Sequence, residues 1–370
     1  MPQSTTEQTS PASSGRAQSN PMPSEPRLNL LSYLGTHPDL AGPPRHAGAN
    51  SAVVGRVTLG RDAWLGAASV IRADGHFVRA GDDLTLGHGA TIHIAHDVYP
   101  TLIGTGVTVG SNAVIHACEV QDGCIVEDGA VILDGCVIEA GAVIETGSVV
   151  YPRTRLEGGH VYAGKPAKAR RPIDAAELAF RRRQLREQLA DDPAEGNPTS
   201  DEGPELDETA FVANTASLTG HIVAGPRTSV WYGCELDAAG GTIVIGDRTN
   251  VQDNSVLRCT PGARMVLGKD TTIGHNVTMA DCTIGDRCLI GIGSVVAPGT
   301  IVEDDVFLAA GASTSPGQIL GSGHLYGGQP ARVIGPLDER KRALIGHTIG
   351  TYCDYASELA RVQKQAASAR

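Results

Sequence analysis

The sequence predicts a mainly β protein: two tandem parallel β-helices built from six-residue repeats, each followed by a C-terminal α-helix. Three observations carry that prediction. Aliphatic residues recur every six positions, at Val53, Leu59, Leu65 and Ile71, and later at Val120, Val126, Ile132, Ile138, Ile144 and Val150. The scheme returns in the second half at Leu218, Ala224, Val230 and Leu236, then at Ile284, Ile290, Val296, Val302 and Leu308. The chain also has 46 glycines but only six Phe and Trp together, the mixture expected of many short, tightly turned strands on an aliphatic core.

A period of six fits neither an amphipathic helix nor a simple alternating strand. It reads as a short strand plus a bend, so that stacked coils turn one aliphatic side inward and bond to the coils above and below. Small residues precede many inward positions by two, and Gly, Asp or Asn fill the turns. Cys118, Cys124 and Cys136 fall in that small-residue slot, and no CxxC occurs. Core packing is therefore favoured over the alternatives, a disulfide framework or a thiolate metal site. The two halves align at an offset of 164 or 165 residues, and GHVYAGKPAKA (159–169) is mirrored by GHLYGGQPARV (323–333). This is an internal duplication.

In chain order, residues 1–27 read as a disordered tail, rich in Ser, Pro and Gln and without the apolar run of a signal peptide. Residues 28–190 form the first domain, closed by a helix over 174–190 with Asp174 as N-cap and Leu178, Leu185 and Leu189 on one face. Residues 191–204 are an acidic, Pro/Gly-bearing linker. Residues 205–370 form the second domain, whose closing helix over 337–362 places Ile345, Ile349, Tyr352 and Leu359 together. The net charge of −11 and the absence of a basic stripe argue against nucleic acid as a partner. No apolar stretch reaches the roughly 20 residues needed to span a bilayer, so the expected setting is cytoplasmic, with no membrane partner.

The strings TNVQDNSVL (249–257), IGHN (273–276), VIRAD (70–74) and VIHAC (114–118) resemble the γ-class carbonic anhydrases. The resemblance covers most of residues 45–172 and 205–360. The GxPAK-type ending is shared with hexapeptide acyltransferases. Spacing does not set the hand of the helices; the resemblance implies left-handed ones. It further implies zinc, or another divalent transition metal such as Fe or Co, held by three histidines between neighbouring β-helices. The first and third ligands come from one β-helix and the second from its neighbour.

Neither half keeps the full set. The three ligand positions hold His93, Ser111 and His116 in domain 1, and Arg258, His275 and Ala280 in domain 2. A side-by-side contact between unlike domains would assemble one complete site from His93, His116 and His275, whereas the reverse contact offers only Arg258, Ser111 and Ala280. The repeat itself supports the domain 1 pair: both histidines follow an inward isoleucine, so they face outward one coil apart, about 4.8 Å. Other positions divide the same way. Arg72 and Asp74 match the family's Arg-x-Asp, and Gln252 and Asp253 match its Gln-Asp. The resemblance casts Gln252 as orienting a metal-bound water, and Asp253 as pairing with Arg72 across the interface, in a role either catalytic or structural.

Alternatives stay open on the sequence alone. His88 and His96 lie near His93 and could build a site within domain 1. His160, His221 and His324 read as surface or turn residues. Domain 1 can meet domain 2 in one chain or between chains, and a homo-oligomer with such contacts is the expected assembly. Three functions compete: a zinc lyase or hydrolase using a metal-bound hydroxide on CO2 or a related small carbonyl substrate; an acyltransferase or thioesterase acting on a CoA-linked group, with His275 as general base; and a catalytically silent scaffold.

Overall fold

The computed structural model describes residues 28–190 and 203–368; the expected N-terminal tail and nearly all of the linker lie outside them. The duplication appears as two sets of parallel sheets. The first set has a 12-stranded and an 8-stranded sheet, and the second a 10-stranded and an 8-stranded sheet. Each set is a three-sided β-helix. Two sides belong to one sheet because a long strand, Val70–Ala80 or its counterpart Glu235–Ile245, runs round the corner between them.

The inward residues stack in register from coil to coil. Ile71, Ile92, Ile115, Ile132 and Val150 form one such ladder, and Leu218, Leu236, Leu257, Met279 and Val296 form its equivalent. Each ladder continues an aliphatic core through its β-helix. The turns need left-handed backbone, which Asn tolerates better than other side chains; Asn112, Asn254 and Asn276 all sit at positive φ. The eight cysteines are buried and unbridged, in agreement with small core packing.

The first helix, α1 (Ala175–Gln188), is capped by Asp174, whose side chain accepts from the Glu177 amide. Leu185 and Leu189 pack it on Ile125, Val143 and Val161 of the 8-stranded side. The second, α2 (Glu339–Ser368), starts two residues later than the sequence indicates and ends six residues later. Ile345, Ile349 and Cys353 seat it on Leu289 and Phe307 of the equivalent side. Among the described residues, no helix is long and apolar enough to cross a membrane.

The two β-helices meet side by side within the one chain. An outward face of the first, with Ala52, Val54, Val70, Val114, Val131, Leu133 and Val149, lies against a row of turns of the second. Close approach depends on glycine there: a Cβ on Gly293 would stand 2.8 Å from a methyl of Val131, and one on Gly311 would stand 2.4 Å from a methyl of Val149. Polar anchors fix the register. Asn254 donates to Thr91 Oγ1 at 2.9 Å, and Asn276 donates to the Gly89 carbonyl at 2.7 Å.

Candidate metal centre

The strands Thr91–His93 and Val114–His116 are adjacent, and His93 pairs directly with His116 in the ladder. Both side chains leave the β-helix on the face that meets domain 2. His275 sits in the turn that follows the strand Thr272–Ile273 and projects from the opposite wall. One chain therefore brings all three imidazoles together, with one nitrogen of each within 4.8 Å of the others. His93 Nδ1 is 3.3 Å from His116 Nε2 and 3.2 Å from His275 Nε2. A tetrahedral ion with nitrogen ligands at 2.0–2.1 Å would separate them by about 3.3 Å, so these two spacings fit such an ion.

The outer nitrogen of each ring rests on a carboxylate. His93 Nε2 is 3.0 Å from Asp74 Oδ1, and His116 Nδ1 is 2.6 Å from Asp134 Oδ1. His275 Nδ1 lies 3.1 Å from Asp253 Oδ2, off the line of a well-directed hydrogen bond. Carboxylates placed this way hold the ring protons outward and leave three lone pairs converging. Three such lone pairs repel one another unless a cation takes them, and the donor set fits a divalent metal.

Arg72 lies behind the histidines, fully buried. It pairs with Asp74, reaches Asp253 Oδ2 at 3.0 Å, donates to the Tyr352 hydroxyl at 3.0 Å and lies 4.1 Å above the Trp231 ring. Burial opposes the charge of Arg72, but Asp253 and Asp74 outweigh it and hold its pKa well above the ordinary value. Burial likewise opposes ionisation of Asp253; Arg72 and His275 prevail and bring it below the usual carboxylate range. At Asp74 burial wins and the pKa is raised, although Arg72 opposes it. Three carboxylates against one guanidinium leave a formal charge of −2, which one divalent cation would cancel.

Burial pushes His93 well below the ordinary imidazole value and His275 down to about 4. Both rings are neutral at pH 7, the state that binds metal. An unfolded histidine takes its proton near pH 6.5, so between there and about pH 4 the unfolded chain binds more protons than the folded one. Stability in that window rises with pH and is lost as pH falls; Asp74 works in the opposite sense, one group against two. The urea midpoint of the metal-free protein should therefore drop between pH 7 and pH 4.5, and a flat profile would contradict the assignment. Metal affinity of the folded protein should hold over most of that range and fall near pH 4, where the His275 nitrogen takes its proton.

The remaining expected residues take other places. Gln252 is buried beside Asp253, with its amide nitrogen 3.2 Å from Asn250 Oδ1. The reverse set is not assembled within this chain: Arg258 is exposed and faces Glu235 at 3.5 Å, Ala280 stands next to it in the ladder, and the Ser111 amide donates to Asp128. The alternative site within domain 1 does not form either. His88 accepts from the Ala67 amide, and His96 contacts the Tyr355 hydroxyl. His160 and His324 each contact a carbonyl two residues back in a turn, and His221 contacts Thr242 and Glu205. Sequence reasoning missed three neighbours of the triad. Asp134 had a readable signal, an acid one 18-residue coil after His116, and Trp231 had another, since it follows the inward Val230 two coils before the His275 turn; Tyr352 had none, because α2 lies outside the repeat.

Comparisons with known proteins agree with the architecture. Residues 281–314 match the family model described as bacterial transferase hexapeptide (six repeats). The chain is 34% identical over 162 residues to "Gamma carbonic anhydrase 1, mitochondrial" of Arabidopsis thaliana, a match covering 42% of this chain and 59% of that protein. It is 31% identical over 142 residues to "Carbonic anhydrase" of Geobacillus kaustophilus, covering 38% of this chain and 78% of that one. A putative acetyltransferase of Desulfovibrio desulfuricans G20 superimposes with a TM-score of 0.53 at 17% identity, over 81% of this chain and 69% of its own, a likeness of fold alone. With its repeats, its paired β-helices and these relatives, the chain belongs to the γ-carbonic anhydrase-like family of hexapeptide-repeat proteins, duplicated in tandem.

Proposed function

We propose that the protein is a metal-dependent lyase of the carbonic anhydrase type, acting on CO2 or a related small carbonyl substrate at one site per chain. The observation that carries this reading is the convergence of His93, His116 and His275 from both halves, each ring backed by a carboxylate. Zinc is the first candidate for the ion, with iron and cobalt as alternatives; bound there, it would lower the pKa of a water on its open position to about 7.

The chain's own residues prepare the site. Asp74, Asp134 and Asp253 fix the ring tautomers, and Arg72 holds Asp74 and Asp253 in place across the interface. Gln252, oriented by Asn250, is assigned to position the small substrate. A homo-oligomer is not needed to complete the triad, since one chain supplies all three rings. The acyl-transfer reading asks His275 to act as general base on a CoA-linked group. Its ring is fully buried, with Nδ1 on Asp253 and Nε2 in the triad, which favours the metal reading.

Elemental analysis of the purified chain should find about one divalent transition metal per chain, and the loaded protein should accelerate CO2 hydration. A chain without metal that cannot be reloaded would overturn the proposal in favour of the acyl-CoA or scaffold readings.

A further inference from the structure

The seam between the two β-helices holds a lysine that has no counter-ion. Lys165 lies in the hairpin between the strands His160–Gly164 and Ala167–Pro172 of domain 1. Its Nζ crosses to domain 2 and donates to the Gly311 carbonyl at 3.2 Å. The stem follows the close approach of Gly311 to Val149, with its Cδ 3.8 Å from where a Cβ on Gly311 would stand. Among the described residues no carboxylate pairs with Lys165, and burial at the seam holds its pKa below the ordinary lysine value. The residue as a whole remains exposed, so a dissolved gas reaches it.

A second donor meets the same carbonyl. Gln329 Nε2 donates to the Gly311 carbonyl at 3.1 Å. Lys165 and Gln329 are equivalent positions, 164 residues apart in AGKPA and GGQPA, and the docking of unlike domains brings both to one acceptor. A primary amide nitrogen carries two hydrogens, so Gln329 keeps one for a further acceptor beside Lys165. Withdrawing water from an amine without supplying an anion favours its neutral form, and the neutral form is a nucleophile.

We propose that Lys165 is a carbamylation site, at which CO2 adds reversibly to Nζ. The lone pair of the neutral amine attacks the carbon of CO2, an N–C bond forms, and one C=O pair moves onto oxygen as negative charge. One of the two amine protons leaves for solvent, and nothing is oxidised or reduced. The nitrogen keeps its other hydrogen on the Gly311 carbonyl, while a carbamate oxygen accepts the free hydrogen of Gln329. CO2 thereby places an anion at the seam, held by one group from each side of it. The inference goes beyond the metal reading and does not depend on it, since the amine needs CO2 alone.

The test incubates the purified full chain with isotopically labelled bicarbonate, as the source of CO2, at mildly alkaline pH. Carbamates are trapped as ethyl esters with triethyloxonium ion and located by peptide mass spectrometry. The expected result is label on Lys165 and none on Lys168, an exposed lysine of the same hairpin. That comparison needs no variant and stands even where a substitution disturbs the fold. Lys165→Arg should lose the label. Gln329→Glu sets a carboxylate beside the amine, favours the ammonium form and removes the amide donor, so label on the intact Lys165 should be lost there too; an unchanged urea midpoint checks both folds. Label absent from Lys165, equal on Lys165 and Lys168, or retained in Gln329→Glu would overturn the inference. A chain that takes up no metal should still be labelled at Lys165, so this inference and the metal reading fail separately.

Discussion

His275→Ala should strip the metal as completely as His93→Ala, although the two residues lie in different halves of the chain, 182 positions apart. Each ring supplies one of three nitrogens. Removing either leaves two donors, and it also leaves a carboxylate, Asp253 or Asp74, without the imidazole it holds. Metal per chain, measured after dialysis against metal-free buffer, should fall from about one to near zero in both variants. Arg258→Ala, at the domain 2 position equivalent to His93, should retain full occupancy. A His275→Ala chain that kept its metal would show that domain 1 binds it alone and would sink the shared site.

The second large effect concerns the ion cluster behind the histidines. Arg72 is fully buried and faces two carboxylates, a tyrosine hydroxyl and an indole face. Removing one partner of a buried ionic group leaves the others uncompensated and costs about 3–5 kcal/mol. The indole contact is itself worth about 2 kcal/mol when desolvated. Arg72→Met should therefore lower the urea midpoint sharply. Arg258→Ala removes an exposed pair with Glu235 and should move stability by no more than about 0.5 kcal/mol. Because Asp253 belongs to domain 2, the cost of Arg72→Met should be largely shared with Asp253→Asn in a double-mutant cycle. Equal midpoints for Arg72→Met and Arg258→Ala would mean that the cluster does not hold the halves together.

Both experiments bear on why the two halves have diverged. The face of domain 1 that docks is apolar, with Val54, Val70, Val114, Val131 and Val149. The equivalent positions of domain 2 are Thr219, Glu235, Thr278, Val295 and Ser313. His93, His116 and His275 all lie where the two halves meet, whereas Arg258, at the position equivalent to His93, is exposed. At an exposed position a charged side chain costs little, whereas at His93 it would face the triad.

A large part of this molecule follows from the order of its residues. A period of six admits only short strands and bends, so the coils, the inward ladders, the outward pairing of His93 with His116 and the capping of α1 by Asp174 were legible from spacing and turn chemistry. The complementary losses of ligands between the halves pointed to the composite triad. Local rules reach that far because each coil contacts its neighbours at a fixed register. What the tertiary structure alone decided is how unlike elements meet. It joined the two β-helices within one chain, set Gly293 and Gly311 against Val131 and Val149, buried Arg72 under Trp231 and carried Tyr352 on α2 to His275. Those contacts join residues 159 to 162 positions apart in sequence, or helix to turn, and no periodicity encodes them; they depend on which surfaces bury apolar area and pair charge most completely once the coils have formed.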